Sequence, residues 1–542
     1  MSNIERTTSK ADSIGVDHKE TILAVEVAEE SNTTVWQLLK ENVRVIVFTW
    51  FANCGAFLFG YDVLVQGAIN ALPMFSITFG SPFGETFILP ALWQGLWQAF
   101  SAMGIMAGAA SNGFLQDRFG RKIMFGVGGL ISAVGTAITF VSGNPETVEQ
   151  RRGVLLLGKF FIGLAMGISM STCQTYVSEI SPPKLRTILL GFYPFMITVG
   201  QMIAITVVFK EVATMTHWAF KIPFASQWAF SAYSVIASLV VPESPVYLAG
   251  KNKIDQARKA LTTLGCDNID ERIAIIEATI QQEQRMNTEK PSFSECFKGT
   301  NLRRTRIVAL LNTLQQFMGI TLVSNSTYFF IMAGMTPTFS LTLNQIGVGL
   351  SMACTLVSWV IMSKVGRRFA ILASFAVAGT IFIGMGIAGF WTQNQTALRQ
   401  VSLDDITTIH TNKRYRFIGV SLLLAACTGN LGTGSAYPIV AAEVPSTVLR
   451  AKTLGIGFFV NAFMTWAFSL CVPYMFNADQ GNLGGKIGFV FFGFCVIGFV
   501  LTWIEIPETK NITYAQIDYL FQTKTPASKF KERSATAITE EA

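Results

Sequence analysis

Twelve apolar runs constrain this chain more than anything else in it. They fall near residues 43–72, 89–115, 122–142, 153–180, 184–210 and 222–241, and again near 305–334, 342–363, 369–391, 415–441, 451–475 and 485–506. About 20 apolar residues of helix cross a hydrocarbon core. Inside that core every backbone amide must be satisfied within its own segment, so each run is predicted to be a helix. Charged residues make up only 14% of the 542, against about 25% in soluble domains. The expected fold class is an all-α membrane protein of twelve transmembrane helices in two six-helix bundles.

The boundaries follow from the runs: a tail at 1–42, a first bundle at 43–241, a polar linker at 242–304, a second bundle at 305–506 and a tail at 507–542. The linker mixes charged and apolar residues in the manner of short amphipathic helices. Both tails are expected to be largely disordered. The start of the chain lacks the apolar segment of a cleavable signal, so the first span is expected to act as an anchor.

Charge sets the orientation. Arg118, Arg121 and Lys122 lie between spans 2 and 3, and Lys184 and Arg186 between spans 4 and 5. Lys364, Arg367 and Arg368 lie between spans 8 and 9, and Arg450 and Lys452 between spans 10 and 11. The positive-inside rule places these loops and both termini in the cytoplasm. Arg151, Arg152, Lys413, Arg414 and Arg416 break the pattern. The net charge of +7 fits basic loops at a lipid surface, with no nucleic acid as partner. The eight cysteines, six of them in apolar runs, show no metal-binding or disulfide spacing. Asn394-Gln395-Thr396, in the largest outside loop, is a glycosylation candidate.

The two halves repeat. Asp117-Arg-Phe-Gly-Arg-Lys122 returns as Ser363-Lys-Val-Gly-Arg-Arg368, and the Glu179…Arg186 segment returns as Glu443…Arg450. Pro242-Glu243 returns as Pro507-Glu508. Parallel six-helix halves point to a transporter that rocks about a site between them. In that reading Arg118, Arg121, Arg367 and Arg368 pair with Glu179 and Glu443 to clamp the cytoplasmic face, with Asp117, Glu243, Arg186 and Arg450 beside them.

Within the spans a few polar residues stand out. A carboxylate at bilayer depth costs at least about 2.5–3.5 kcal/mol, so Asp62 needs a cavity or a partner. At about 1.5 Å per residue, Asp62 lies roughly 27 Å up span 1, which starts inside, and Lys159 roughly 9 Å down span 4, which starts outside. The two can therefore pair in the outer half. Gln315 and Gln316 on span 7 and Asn461 on span 11 all fall near 15 Å deep. Amides both donate and accept, which suits sugar hydroxyls. Gln201, Asn325 and Tyr437 are further candidates for that site. Asn430-Leu-Gly-Thr-Gly434 is expected to loosen span 10 into a gating helix.

These residues resemble the sugar porter family of the major facilitator superfamily. The resemblance rests on Gly60-Tyr61-Asp62, Asp117 to Lys122, Tyr176 to Pro182 with Arg186, Pro242-Glu-Ser-Pro245, Gln315-Gln316-Phe-Met-Gly319, Gly366-Arg-Arg368 and Pro507-Glu-Thr509. Trp218 to Trp228 and Thr327 to Gly334 look like the fungal α-glucoside (maltose) permeases. The resemblance implies a proton-coupled sugar symporter in which Asp62 takes up the proton, modulated by the helix-4 basic residue, here Lys159 in place of the usual Arg. It implies sugar contacts at Gln315, Gln316 and Asn461, no cofactor beyond the proton gradient, and a monomer in the plasma membrane. The alternatives are a facilitative sugar uniporter and an efflux transporter of a non-sugar metabolite. Thr321, Pro194, Pro438 and Val246 depart from the family pattern. No phosphate loop, metal spacing or nucleophile–base set points to an enzyme. A sugar-sensing receptor is disfavoured by the short stretch after Glu508.

Overall fold

The computed structural model describes residues 39–532 apart from 85, 267, 288–292, 333–334, 391–412, 447–448, 511, 513 and 531. The first half holds span 1 (Val43–Ile69, interrupted at Asn53), span 2 (Ala91–Phe119), span 3 (Arg121–Val141), span 4 (Val148–Ile180), span 5 (Pro183–Lys210) and span 6 (Trp218–Val240). The second half opens with span 7, a helix at Gly299–Phe317 continued by Ile320–Ser324 and Ser326–Met332. Span 8 (Pro337–Lys364), span 9 (Arg367–Phe390), span 10 (Lys413–Leu431 with Thr433–Glu443), span 11 (Arg450–Phe476) and span 12 (Ile487–Glu505) follow.

Among the described residues, nine of these helices are apolar enough to cross a membrane on composition alone. Spans 2, 6 and 7 are the others. They carry the buried amides Gln94, Asn112, Gln227, Asn312 and Gln316. A transmembrane helix keeps such groups only where other helices cover and pair them, so each of these spans turns the face that carries its amides toward protein.

The repeat seen in the loops is also a repeat of packing. In the first half spans 2 and 4, 3 and 4, 3 and 6, and 1 and 5 pack together. Adding six to each number gives the pairs of the second half. Between the halves, span 2 packs on span 11 and span 5 on span 8, which the same shift interchanges. Close approach needs small residues. On span 2 a Cβ at Gly104 or Gly108 would sit 2.3 Å from a span 4 carbonyl oxygen, and Gly163 and Gly167 of span 4 return the contact.

The helix breaks have local causes. Gly319 lies at φ 77, a left-handed conformation that interrupts span 7. Gly432 separates the two pieces of span 10, and a Cβ there would meet Ser374 and the Ala370 carbonyl of span 9. Ser374 and Thr433 hydrogen-bond across this crossing at 2.6 Å.

Spans 1 and 2 are joined by a short helix, Pro73–Phe79, and a two-stranded hairpin of Ser81–Phe83 and Thr86–Ile88. Phe75 and Phe79 fasten this lid to Trp97 and Phe220. The lid explains two residues that broke the charge pattern. Arg152 is buried and donates to the Phe79 carbonyl (2.8 Å), the Ser81 hydroxyl (2.8 Å) and Glu149 (2.6 Å). Arg151 donates to the carbonyls of Pro145 (2.6 Å) and Thr78 (3.4 Å).

The linker forms helices at Pro245–Gly250, Ile254–Leu264 and Ile269–Asn287. The C-terminal tail differs from expectation. Residues Tyr514–Gln522 form a helix that buries Ile517, Leu520 and Phe521. Their i, i+3, i+4 spacing makes one apolar face, and Asp518 pairs with Arg304 at the start of span 7. The tail expected at 1–42 lies outside the described residues except for its last four positions.

Candidate functional site

The single carboxylate inside span 1 is paired. Lys159 Nζ of span 4 donates to Asp62 Oδ1 at 2.7 Å, and both residues are almost wholly buried. Gln227 Nε2 of span 6 donates to the same oxygen at 3.1 Å. The Phe224 ring lies 5.8 Å from the Lys159 ammonium. Tyr61 is turned away, its hydroxyl donating to the Pro223 carbonyl at 3.0 Å and meeting Ser226. Three helices thus converge on one carboxylate with no water-facing side. Gln227 lies in the Trp218–Trp228 segment that carries part of the resemblance, but a neutral amide in a span is commonly helix-to-helix glue, so nothing singled it out as a partner of Asp62.

The amides of spans 7 and 11 also meet, and largely satisfy one another. Gln316 donates to Thr465 at 2.9 Å and accepts from Thr321 at 2.6 Å. Asn461 donates to the Asn312 carbonyl at 3.1 Å and reaches Gln315 at 3.4 Å. Gln315 is partly exposed and also meets Tyr437. Gln315 and Asn461 are partly exposed, whereas Gln316 is buried. Gln201 is half-buried on span 5, next to Gly200, which packs on the span 1 backbone.

Asn325 donates to the Thr321 carbonyl at 2.9 Å, and the Thr321 hydroxyl in turn donates to Gln316. Asn325 forms a reciprocal amide pair with Gln98 of span 2, its Nδ2 donating to Gln98 Oε1 at 3.1 Å. This pair belongs to a set of side-chain bonds that joins the two halves. Leu89 donates its backbone N–H to the Tyr328 hydroxyl at 3.2 Å and accepts from Asn477 at 2.7 Å. The Ala91 N–H donates to Asp479 Oδ2 at 3.1 Å, and Gln345 donates to Thr206 at 3.2 Å. All of these lie toward the face remote from the basic loops.

At the basic face, among the described residues, Arg121 pairs with Glu179 and Arg367 with Glu443, each within its own half. Arg121 binds Glu179 at 2.9 Å and Asp117 at 3.4 Å, all in the first half. Arg367 binds Glu443 at 3.5 Å, both in the second. Arg118 is exposed and lies over Phe119, while Arg368 donates to the Trp503 carbonyl at 2.7 Å. Arg450 opens span 11, and the side chain of Arg186 lies outside the described residues, as does Asn394.

The repeated Pro-Glu has a definite task. Glu243 accepts from the N–H groups of Arg121 (2.9 Å) and Lys122 (3.2 Å) at the start of span 3. Glu508 does the same for Arg367 (2.9 Å) and Arg368 (3.2 Å) at the start of span 9. A carboxylate at a helix N-terminus satisfies donors that the helix leaves free. Each carboxylate comes so close that a Cβ on Gly120 or Gly366 would lie 2.2 or 2.3 Å from it. The glycine in each loop motif therefore leaves room for the carboxylate.

Two bundles related by a six-helix shift, joined at one face and enclosing a buried ion pair, are the setting for comparison with known proteins. Residues 48–521 match the sugar (and other) transporter family. The chain belongs to that family. The transporter is 29% identical to the MFS transporter fmqE of Aspergillus fumigatus, over 94% of this chain and 93% of that one. It is 28% identical to the general alpha-glucoside permease of Saccharomyces cerevisiae, over 93% and 79%. Its fold is similar to the inward-open xylose transporter XylE of E. coli, with a TM-score of 0.69 at 19% identity, covering 88% of this chain and 99% of that one.

Proposed function

We propose that the protein is a proton-coupled sugar transporter working by alternating access, with an α-glucoside favoured over a hexose. The observation that carries this reading is the sealed Asp62–Lys159 pair in the first half. A buried carboxylate with a buried ammonium is a two-state element. Protonation removes the negative charge and releases the lysine, and deprotonation restores the pair. Since the pair sits on spans 1 and 4, its state acts on the half that must move against the sugar-holding spans 7 and 11. The α-glucoside preference is supported by likeness to the yeast general alpha-glucoside permease.

In this reading the basic face and both termini lie in the cytosol, the membrane is the plasma membrane, and the working unit is a monomer driven by the proton gradient. The bonds between the halves at the remote face then describe an inward-facing state. Asn394 carries a glycan on the outside. Sugar is held between the halves at Gln315, Gln316, Asn461 and Tyr437. Asp117, Arg118, Arg121, Glu179, Arg186 and Glu243, with Arg367, Arg368, Glu443 and Arg450, stiffen the inner end of each half so that it moves as one body.

The test is uptake of labelled maltose and glucose into yeast lacking its own transporters, at acidic and neutral pH. Wild type should concentrate one sugar, less so at neutral pH. Asp62→Asn should equilibrate it without concentrating it. A wild type that only equilibrates sugar is a uniporter, and the coupling is then wrong. A second reading, export of a non-sugar metabolite, is favoured by the commitment of Gln316 to Thr321 and Thr465. It holds if neither sugar moves while the protein sits at the cell surface.

A further inference from the structure

Two buried atoms at the ion pair lack a hydrogen-bonding partner among the described residues: Asp62 Oδ2 and Gln227 Oε1. They belong to side chains that already touch, since Gln227 Nε2 donates to Asp62 Oδ1 at 3.1 Å. Both atoms are acceptors, so neither can satisfy the other. Leaving such atoms unpaired where no water reaches is costly. The amide cannot turn over to relieve this, because that would set its oxygen against the negative Oδ1.

One proton changes the arithmetic. A proton on Asp62 Oδ2 turns that atom into a donor, with Gln227 Oε1 as the acceptor. A carboxylic acid and a primary amide pair through two parallel hydrogen bonds, acid O–H to amide oxygen and amide N–H to acid oxygen. The second of these bonds is the one already present. We propose that Gln227 is the partner that holds the proton-loaded form of Asp62, so that the carboxyl trades Lys159 for Gln227 when it is protonated. This rests on the proton-coupled reading above and makes Gln227 a positioning residue for it.

The step balances simply. A proton adds to the carboxylate oxygen when movement of the half opens the pair to water, no covalent bond between residues forms or breaks, and Lys159 keeps its own protons while losing its counter-charge. The same proton leaves by the reverse step once the half has moved. The surroundings offer no competing carrier among the described residues. Span 4 presents Lys159. Span 6 presents Gln227 and the Phe224 ring. Span 5 presents backbone, with Ile197 against Gly60 and Gly200 against Tyr61. The broken span 7 presents the Ser324 backbone against Gly67. On span 1 itself the Tyr61 hydroxyl is engaged by Pro223 and Ser226.

A glutamine that merely packed would leave the proton affinity of Asp62 alone. The experiment is a difference-infrared pH titration of the full-length protein in lipid nanodiscs, which requires no knowledge of the cargo. It follows the protonated-carboxyl band that Asp62→Asn removes. In Gln227→Met the protonated acid loses its acceptor and the carboxylate loses one N–H donor, losses that push the midpoint in opposite directions, so the band position is the deciding readout. The carbonyl stretch of the protonated acid should rise in frequency as its hydrogen bonds are lost. In Gln227→Glu a second carboxyl shares the proton, and the midpoint should move up. A protonated Asp62 band whose frequency Gln227→Met leaves unmoved overturns the inference and spares the coupling. A wild type with no Asp62 band at any pH overturns both.

Discussion

The reciprocal amide pair between Gln98 and Asn325 offers a direct measure of what holds one face of the transporter shut. Gln98→Leu keeps the volume of the side chain and deletes both of its bonds to Asn325. A neutral hydrogen bond contributes about 0.5–1.5 kcal/mol net, so the pair accounts for about 2 kcal/mol of the preference for this state. Asn325 retains its bond to the Thr321 carbonyl at 2.9 Å, which limits the penalty for the amide left behind. At about 1.4 kcal/mol per tenfold, the equilibrium should move roughly thirtyfold toward the state open at this face. The readout is the spin-label distance between Phe87→Cys in the first half and Gln480→Cys in the second, both exposed positions, in a background without native thiols. Wild type should give a single short distance, and Gln98→Leu should add a longer population. If the distance distribution of Gln98→Leu matches wild type, the pair carries no gating energy, and the other bonds of this face, at Leu89, Ala91 and Gln345, hold it alone.

Other perturbations separate structural from functional charges. Lys159→Met leaves a buried carboxylate without its partner, at about 3–5 kcal/mol, which protonation of Asp62 can relieve. Concentrative uptake should vanish while sugar exchange persists with little pH dependence, and loss of exchange as well would count against the role given to this pair. Gly120→Ala combines φ 94 with a clash against Glu243 and should cost about 1–3 kcal/mol. Gly366→Ala, which meets the same clash without a positive φ, should lower the melting temperature of the solubilised protein less. Arg152→Met removes the two side-chain bonds by which Arg152 holds the lid, to Phe79 and Ser81, and proteolysis between Pro73 and Leu89 should quicken. An equal effect from Arg151→Met would contradict that assignment. Asn394→Gln should remove an endoglycosidase-sensitive mass shift.

How much of this was legible beforehand depended on the energy at stake. Asp62 and Lys159 were readable as a pair because a charge in hydrocarbon has few options, and a rise of about 1.5 Å per residue put both at one depth. Gln227 was not, because an amide's role depends on which neighbour it meets and carries no such penalty. The same indifference hides the neighbours of the amides on spans 7 and 11. Gln315, Gln316 and Asn461 do lie close together, but Thr321 and Thr465 take up Gln316, and no spacing rule reveals a hydroxyl from another turn. Asn325, a candidate sugar ligand, also ties the halves together through Gln98. The Arg–Glu motifs recur at equivalent ends of the two halves, but recurrence alone is silent on whether a pair lies within a half or between halves. Repetition does not decide it, since spans 2 and 11 and spans 5 and 8 make a repeated contact between the halves. The positions of the partners do: Arg121–Glu179 and Arg367–Glu443 each lie inside one bundle, as do Glu243 and Glu508 with their helix starts. The side-chain bonds that join the halves do not repeat. Leu89, Gln98, Asn325 and Asn477 have no counterparts in the loop motifs, so the gate must be sought in what the two halves do not share.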